Sequence, residues 1–433
     1  MKKVCTLLLA VLLLSTMVSF ASADTAADSV TVTLWNRDFE QWNQDFYAKR
    51  VEEYNALGRG YTIQQEFVAD AVWNERMAAA QASQNTPDMY IISYSLLNSH
   101  IKNGAIQPLD ELISQEAIDD IVPNVRDMVT FDGKVYAYPQ LVEPSTVLFY
   151  RKDLFEAAGI DAPPTTWDEL VETAKALTTD EVFGLGLPAF AVEMNWSTWG
   201  WQMGSAGHLA LNDNWDAPMI DQGYKDLALL YKRLYDEKVV PEQPLSGYTD
   251  ISAFANGNLA MTLSGSWAIA QLTNDYPEML EVTGVAVSPT KDGNQAVTTA
   301  TNGGWTYVID ANSKCAEGAA DYISWLLAGD PATAGEFFEV ACFSKAPPRV
   351  SVQEWVEAKA GEDSSFSAVV SEISAYAVPE PQYPWDLSGA VAMMFEEVAL
   401  GDVDVDTAAA NCEEAIKAII EADGLAGNNP ANQ

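Results

Sequence analysis

The sequence predicts an α/β protein folded as two lobes, and three observations carry that expectation. Strand-like and helix-like stretches alternate from Val30 to Ile92, the rhythm of an open parallel sheet flanked by helices. The chain has 433 residues, more than one hydrophobic core usually supports. A long central segment, Asp132 to Leu170, then joins one set of strands to another.

The chain opens with Lys2-Lys3, an apolar run from Leu7 to Leu14, and Ala21-Ser22-Ala23 before Asp24. A charged start, a short apolar core and small residues at a cleavage point predict a secretory signal over residues 1–23. The apolar run is too short for a permanent membrane span. Cys5 precedes it and does not stand at the cleavage point, so free export, periplasmic or to the cell surface, is expected rather than lipid attachment.

Val30 to Trp35 alternates as a strand, Phe39 to Asn55 reads as a helix, and Tyr61 to Val68 as a second strand. A helix over Val72 to Ser83 and a strand over Met89 to Ile92 follow. Ligands of open α/β sheets bind beyond the carboxyl ends of strands. Trp35, Asn36 and Asp38 at one such end, and Tyr94 at another, are therefore candidate contacts.

The central segment begins with a turn, Asp132-Gly133, and the alternating Val135 to Tyr138. An irregular piece is expected from Pro139 to Pro144, then a strand from Ser145 to Tyr150. A short helix, Leu154 to Ala158, is stopped by Gly159. Beyond Pro163-Pro164, Thr166 and Glu169 have the spacing of a capping box for the helix Trp167 to Leu177.

This run of turn, YAYP, Glu143, a strand ending in Tyr150, KDLFEAAG and TWDEL resembles the signature of the family 1 extracellular solute-binding proteins, the sugar-binding subunits of ABC importers. The resemblance extends to Thr86–Met89 and Gly104–Leu112. It implies a type II periplasmic-binding-protein-like fold, with open sheets flanked by helices and a hinge of crossover segments. Crossings are expected near Glu143, Pro289 and Pro347. The first lobe would then hold residues 24–142 and 289–346, and the second residues 143–288 and 347–433. The resemblance also implies a carboxylate reaching the ligand at Glu143 and cleft-wall aromatics at Trp267 and Trp385.

Other candidates come from the residues themselves. Phe183 to Leu187 reads as a strand, and Trp196 follows the loop after it, whereas Trp199 and Trp201 read as core. Gly303-Gly304-Trp305 lies after a crossover, where paired glycines permit close approach of the backbone. Helices are expected at Tyr224 to Lys238, Ala316 to Leu327, Ala390 to Leu400 and Thr407 to Ala422. The 13 Trp and 17 Tyr suit a pyranose, whose C–H faces pack on flat rings at little entropic cost. Carboxylates such as Glu143 and Asp38 would hold its hydroxyls.

The net charge of −39 excludes nucleic acid, which needs basic clusters. His100 and His208 lack metal spacing, and no GxSxG, HExxH, P-loop or CxxC motif is present. Gly184-Leu185-Gly186-Leu187-Pro188-Ala189 only imitates a dinucleotide motif, and no cofactor is expected. Asp402 to Glu413 partly imitates a calcium loop, but Thr407 takes the place of the required glycine, so an acidic helix cap is expected. Cys315, Cys342 and Cys412 are expected as free thiols. The expectation is a monomeric binding protein that presents a carbohydrate to a membrane permease and is not an enzyme. A polyamine-like ligand, or an exported glycoside-active enzyme, are the alternatives.

Overall fold

The computed structural model describes residues 29–360 and 365–432; the expected signal at residues 1–23 lies outside them. Eleven strands form among the described residues: β1 Val30–Arg37, β2 Tyr61–Val68, β3 Met89–Ser93, β4 Thr130–Phe131, β5 Lys134–Val135, β6 Tyr138–Pro144, β7 Val147–Arg151, β8 Met261–Ser264, β9 Thr283–Ala286, β10 Thr301–Ile309 and β11 Val378–Pro379.

The first sheet starts from β1, which pairs in parallel with β2 and β3, as the strand–helix–strand rhythm predicts. It ends on β10, which runs antiparallel to β3 on one edge and to β6 on the other. Past the end of β3, β11 takes its place beside Thr301 and Asn302. The second sheet is β8-β7-β9, antiparallel throughout. Residues 183–187 form no strand there; Phe183 and Gly186 only bridge to Leu259 and Thr262.

Local chemistry accounts for the element ends. Asp132 and Gly133 both have positive φ, 49° and 72°, and join β4 to β5 as a tight turn. The helix Trp167–Leu177 carries the full capping box of Thr166 and Glu169. Gly159 closes the helix Lys152–Ala158 in the left-handed region. Asp404 accepts the amides of Asp406 and Thr407 at the head of the helix Val405–Asp423, the acidic cap expected there.

The segment Pro139–Pro144, expected to be irregular, is the strand β6. Pro139 and Pro144 fall near its ends, and the ladder with β10 overrides local preference. A bulge between Trp305 and Thr306 absorbs the mismatch.

The buried apolar side chains fall into separate clusters. One takes residues from Val32 to Val142 and from Tyr307 to Val352. The others take residues from Val147 to Ala300 and from Val370 to Leu425. Val287 and Ala300 thus pack with the second lobe, and Thr290 bridges to Thr166. The return expected at Pro289 comes instead at Thr301, where β10 begins. Val352 remains in the first core and the helix Val350–Ala360 packs on the helix Pro331–Val340, so the third crossing follows that helix rather than Pro347. Among the described residues no helix is long and apolar enough to cross a membrane, and Cys315, Cys342 and Cys412 are unpaired.

Candidate functional site

The lobes meet where β6 ends and β10 begins. The Ser145 amide donates to the Thr301 carbonyl at 2.9 Å, and the Ser145 and Thr301 hydroxyls lie 3.0 Å apart. Two residues later the chain enters β7 in the other lobe. Two walls rise from this floor.

On the first-lobe wall, Glu143 stands directly opposite Gly303 across the β6–β10 ladder, so both project from the same face of the sheet. Val142 and Ala346 exchange backbone hydrogen bonds at 3.0 and 2.7 Å. That bridge brings Lys345 beside Glu143, and the two side chains form a buried ion pair, 6% and 8% exposed. A Cβ added to Gly303 would lie 1.8 Å from Glu380 Oε1; the glycine makes room for this carboxyl, which arrives on the residue after β11. Ser95 lies near it and favours its charged form, while its Oε2 is sealed from water with no partner in the protein.

Burial raises the Glu143 carboxyl above the usual carboxylate range; Lys345 opposes the rise and the negative charge of Glu40 adds to it. Burial likewise pushes Glu380 up to about 7, against the influence of Ser95 and with help from Glu143. Farther along β10, Trp305 packs on Phe39 with ring centroids 4.9 Å apart, and the Arg37 guanidinium lies 4.8 Å from its ring. Gly304 has φ +130°, and a Cβ there would meet the Leu141 carbonyl at 2.5 Å. Only glycine tolerates both.

The second-lobe wall is aromatic. Trp196, Tyr248 and Trp267 pack on one another with centroid separations of 5.3, 5.9 and 6.1 Å. Tyr248 donates its hydroxyl to the Ser145 carbonyl at 2.8 Å, which ties the cluster to the crossing. The Ser266 amide donates to the Pro144 carbonyl at 3.1 Å and fixes the head of the helix Trp267–Asp275 at the same place. Gly265 leaves space for the Trp267 ring, since a Cβ would approach it to 1.9 Å.

The structure therefore gathers Glu143, Gly303, Gly304 and Trp305 on one side of the crossing, with Trp196 and Trp267 on the other. Two candidates, Asn36 and Tyr94, are enclosed in the first core instead. Asn36 is buried and accepts the Tyr307 hydroxyl at 2.9 Å inside the first lobe. Tyr94 is fully enclosed and donates to the Leu141 carbonyl at 3.2 Å. Trp35 lies under the Arg76 guanidinium, 4.2 Å from its ring, paired through its strand with Glu66. Asp38 is half-buried, its amide on the Val68 carbonyl at 3.1 Å. Trp385 packs edge-on to Trp199 at 6.2 Å and its indole nitrogen has no protein partner. Strand ends point toward the ligand side, but alternation turns every second side chain into the core.

Lys345, Glu380 and Tyr248 escaped the sequence reading. Each reaches the crossing only through long-range pairing, so spacing carries no sign of them. The arrangement offers carboxyls and one lysine on one side of the crossing, and on the other three aromatic rings packed edge-on or tilted against one another. Among the described residues no group of three His, Cys, Asp or Glu could hold a metal.

The sequence profile described as bacterial extracellular solute-binding protein matches residues 37–330. A binding protein of Brucella abortus is 25% identical over 63% of this chain and 66% of its own length, so the match spans just under two-thirds of that relative. The mannitol-binding protein of Pseudomonas aeruginosa is 26% identical over 51% of this chain and 52% of its own. Among solved structures, an ABC transporter solute-binding protein of Thermotoga lettingae, bound with α-D-tagatose, superposes with a TM-score of 0.77 at 21% identity. The match covers 90% of this chain and all of that one.

Proposed function

The chain belongs to the bacterial extracellular solute-binding proteins, and from that premise we propose that it is an exported, monomeric binding protein for a neutral carbohydrate. The guest lies between the two walls and both lobes close on it, after which the closed form is handed to a membrane permease. The observation that carries this reading is the pairing of unlike walls over one crossing. Trp196, Tyr248 and Trp267 present flat apolar faces for sugar C–H groups. Glu143, Lys345 and Glu380 present polar groups for hydroxyls. A ligand that touches both lobes selects the closed form, the differential affinity a hinge requires.

The charge distribution favours a neutral guest over a polyamine. Lys345 already neutralises Glu143, and Glu380 keeps its proton up to about pH 7. No hydrolytic step is proposed, because Glu143 is held in an ion pair with Lys345.

A thermal-shift screen of the full chain tests the reading, with maltotriose, mannobiose, D-mannitol and D-tagatose set against spermidine and citrate. A rise in melting temperature with one or more of the neutral compounds, following mass action, is expected. A rise with spermidine alone would replace carbohydrate by a cationic ligand. Release of monosaccharide from maltotriose would make the protein an enzyme.

A further inference from the structure

The helix Trp267–Asp275 does more than present an indole to the cleft. Trp267, Gln271 and Asn274 are spaced i, i+4 and i+7, so they form one stripe along the helix. Trp267 stands at the crossing, and the other two reach the first lobe farther out. Gln271 Nε2 donates to Glu40 Oε1 at 2.9 Å. Asn274 Nδ2 donates to the Val340 carbonyl at 3.4 Å and lies 3.8 Å from Cys342 Sγ. Both acceptors belong to elements of the first core: Glu40 caps the helix Gln41–Ala56, and Val340 ends the helix Pro331–Val340.

The donors and acceptors are prepared before they meet. Gln271 Oε1 accepts the Ile251 amide at 3.1 Å, and its Nε2 also donates to the Thr249 carbonyl at 2.8 Å. These second-lobe bonds fix the amide so that one N–H points to Glu40. On the other side, Cys342 and Phe343 both hold positive φ, 54° and 53°, which is rare for non-glycine residues and costly for two in succession. This turn finishes the helix and presents one of its terminal carbonyls, that of Val340, which within the turn takes only a long contact from the Cys342 thiol at 3.7 Å.

We propose that Gln271 and Asn274 form a closure latch, a pair of positioning residues that set the affinity for ligand by stabilising the closed lobes without touching the ligand. The inference rests on the hinge-closing reading of the cleft but not on which solute fills it. Apparent affinity scales with the population of the closed form. One hydrogen bond to the Glu40 carboxylate and one neutral bond to the Val340 carbonyl together shift that population by roughly tenfold or more. Asp275, one residue beyond the stripe, is raised by burial and by the charge of Glu40. Like charges thus face each other at this rim, and the latch works against that repulsion.

Small-angle scattering of the full ligand-free chain tests the proposal. Asn274→Ala and the double variant Gln271→Ala/Asn274→Ala should give progressively larger radii of gyration than the unmodified protein. Asn274 is exposed, so its single variant tests the latch even if the double variant folds poorly. Scattering curves for Asn274→Ala and the unmodified chain that superimpose would overturn the latch. Maltotriose, mannobiose or D-mannitol at saturation should compact all the forms; failure of every saccharide to compact any of them would sink the carbohydrate reading while leaving the ligand-free comparison to judge the latch. The dissociation rate of whichever of these three binds should rise roughly tenfold in the double variant. An unchanged rate would also overturn the proposal.

Discussion

The two sides of the lobe crossing are built by opposite means. The first-lobe side is a sheet face whose groups come from four distant parts of the chain: Glu143 on β6, Gly303 and Trp305 on β10, Lys345 after the helix Pro331–Val340, and Glu380 after β11. The second-lobe wall is a self-supporting cluster of rings, Trp196, Tyr248 and Trp267, held to the crossing by a hydroxyl and an amide. The difference teaches where fold stability and recognition are entangled. On the charged side Glu143 and Lys345 are both buried and each needs the other, so removing one leaves a desolvated partner. On the aromatic wall each ring contributes area, and loss of one leaves its neighbours intact.

The largest expected effect follows from the ion pair. Glu143→Gln leaves the Lys345 ammonium buried without its counter-charge and should cost about 3 kcal/mol of stability, read from denaturant midpoints. Glu143→Gln combined with Lys345→Met should recover most of that loss, because no buried charge is then left without its counter-charge. If the single and double variants are equally destabilised, the charged wall is not an interdependent unit. Trp267→Ala comes next and should behave differently. It removes an anchoring ring from the aromatic wall, so calorimetric affinity for the saccharide that binds should fall at least roughly tenfold. Its melting temperature should move less than that of Glu143→Gln, and the reverse order would break the comparison.

Two smaller effects sharpen it. Gly303→Ala puts a methyl where Glu380 Oε1 now lies; displacing that carboxyl should cost about 1–3 kcal/mol and weaken binding with it. Glu380 itself gives a pH signature. Its folded value is pushed up from 4.5 to about 7, so the folded chain holds a proton that the unfolded chain releases. The stability associated with Glu380 is therefore complete below pH 4.5, falls as pH rises, and levels off above about pH 7. Glu380→Gln should flatten this contribution, measured as the change in denaturation midpoint between about pH 5 and about pH 8. An equal slope in both proteins would mean that the carboxyl is not buried at the crossing.

How much of this was legible in the sequence follows the same division. The β1–helix–β2–helix–β3 succession was readable because residue periodicity is local. The bounds of β2 and of the helix Trp167–Leu177 coincide with the expectation, the latter through its Thr166–Glu169 box. β6 was missed because its prolines argue against a strand and only its partner β10 makes it one. The crossing read at Pro289 was displaced for a related reason: Thr290 pairs back to Thr166 and Ala300 packs into the second core, contacts that no local pattern reveals. Near the crossing, Trp196 and the glycine pair were singled out by their position along the chain, and Glu143 and Trp267 by the family resemblance. Lys345 and Glu380 did not, since a lone lysine or glutamate acquires meaning only when pairing places it beside another charge. Tyr94 and Asn36 show the converse error. They stand at the ends of the right strands, but their side chains point into the core.

The central claim is that one solute engages both walls at once. Hydrogen–deuterium exchange of the full chain, compared with and without a saturating saccharide from the screen, tests it most directly. The account predicts slowed exchange in both lobes together, over residues 139–145 and 301–307 and over residues 261–275. Protection confined to either lobe, with the other exchanging at its ligand-free rate, would contradict it.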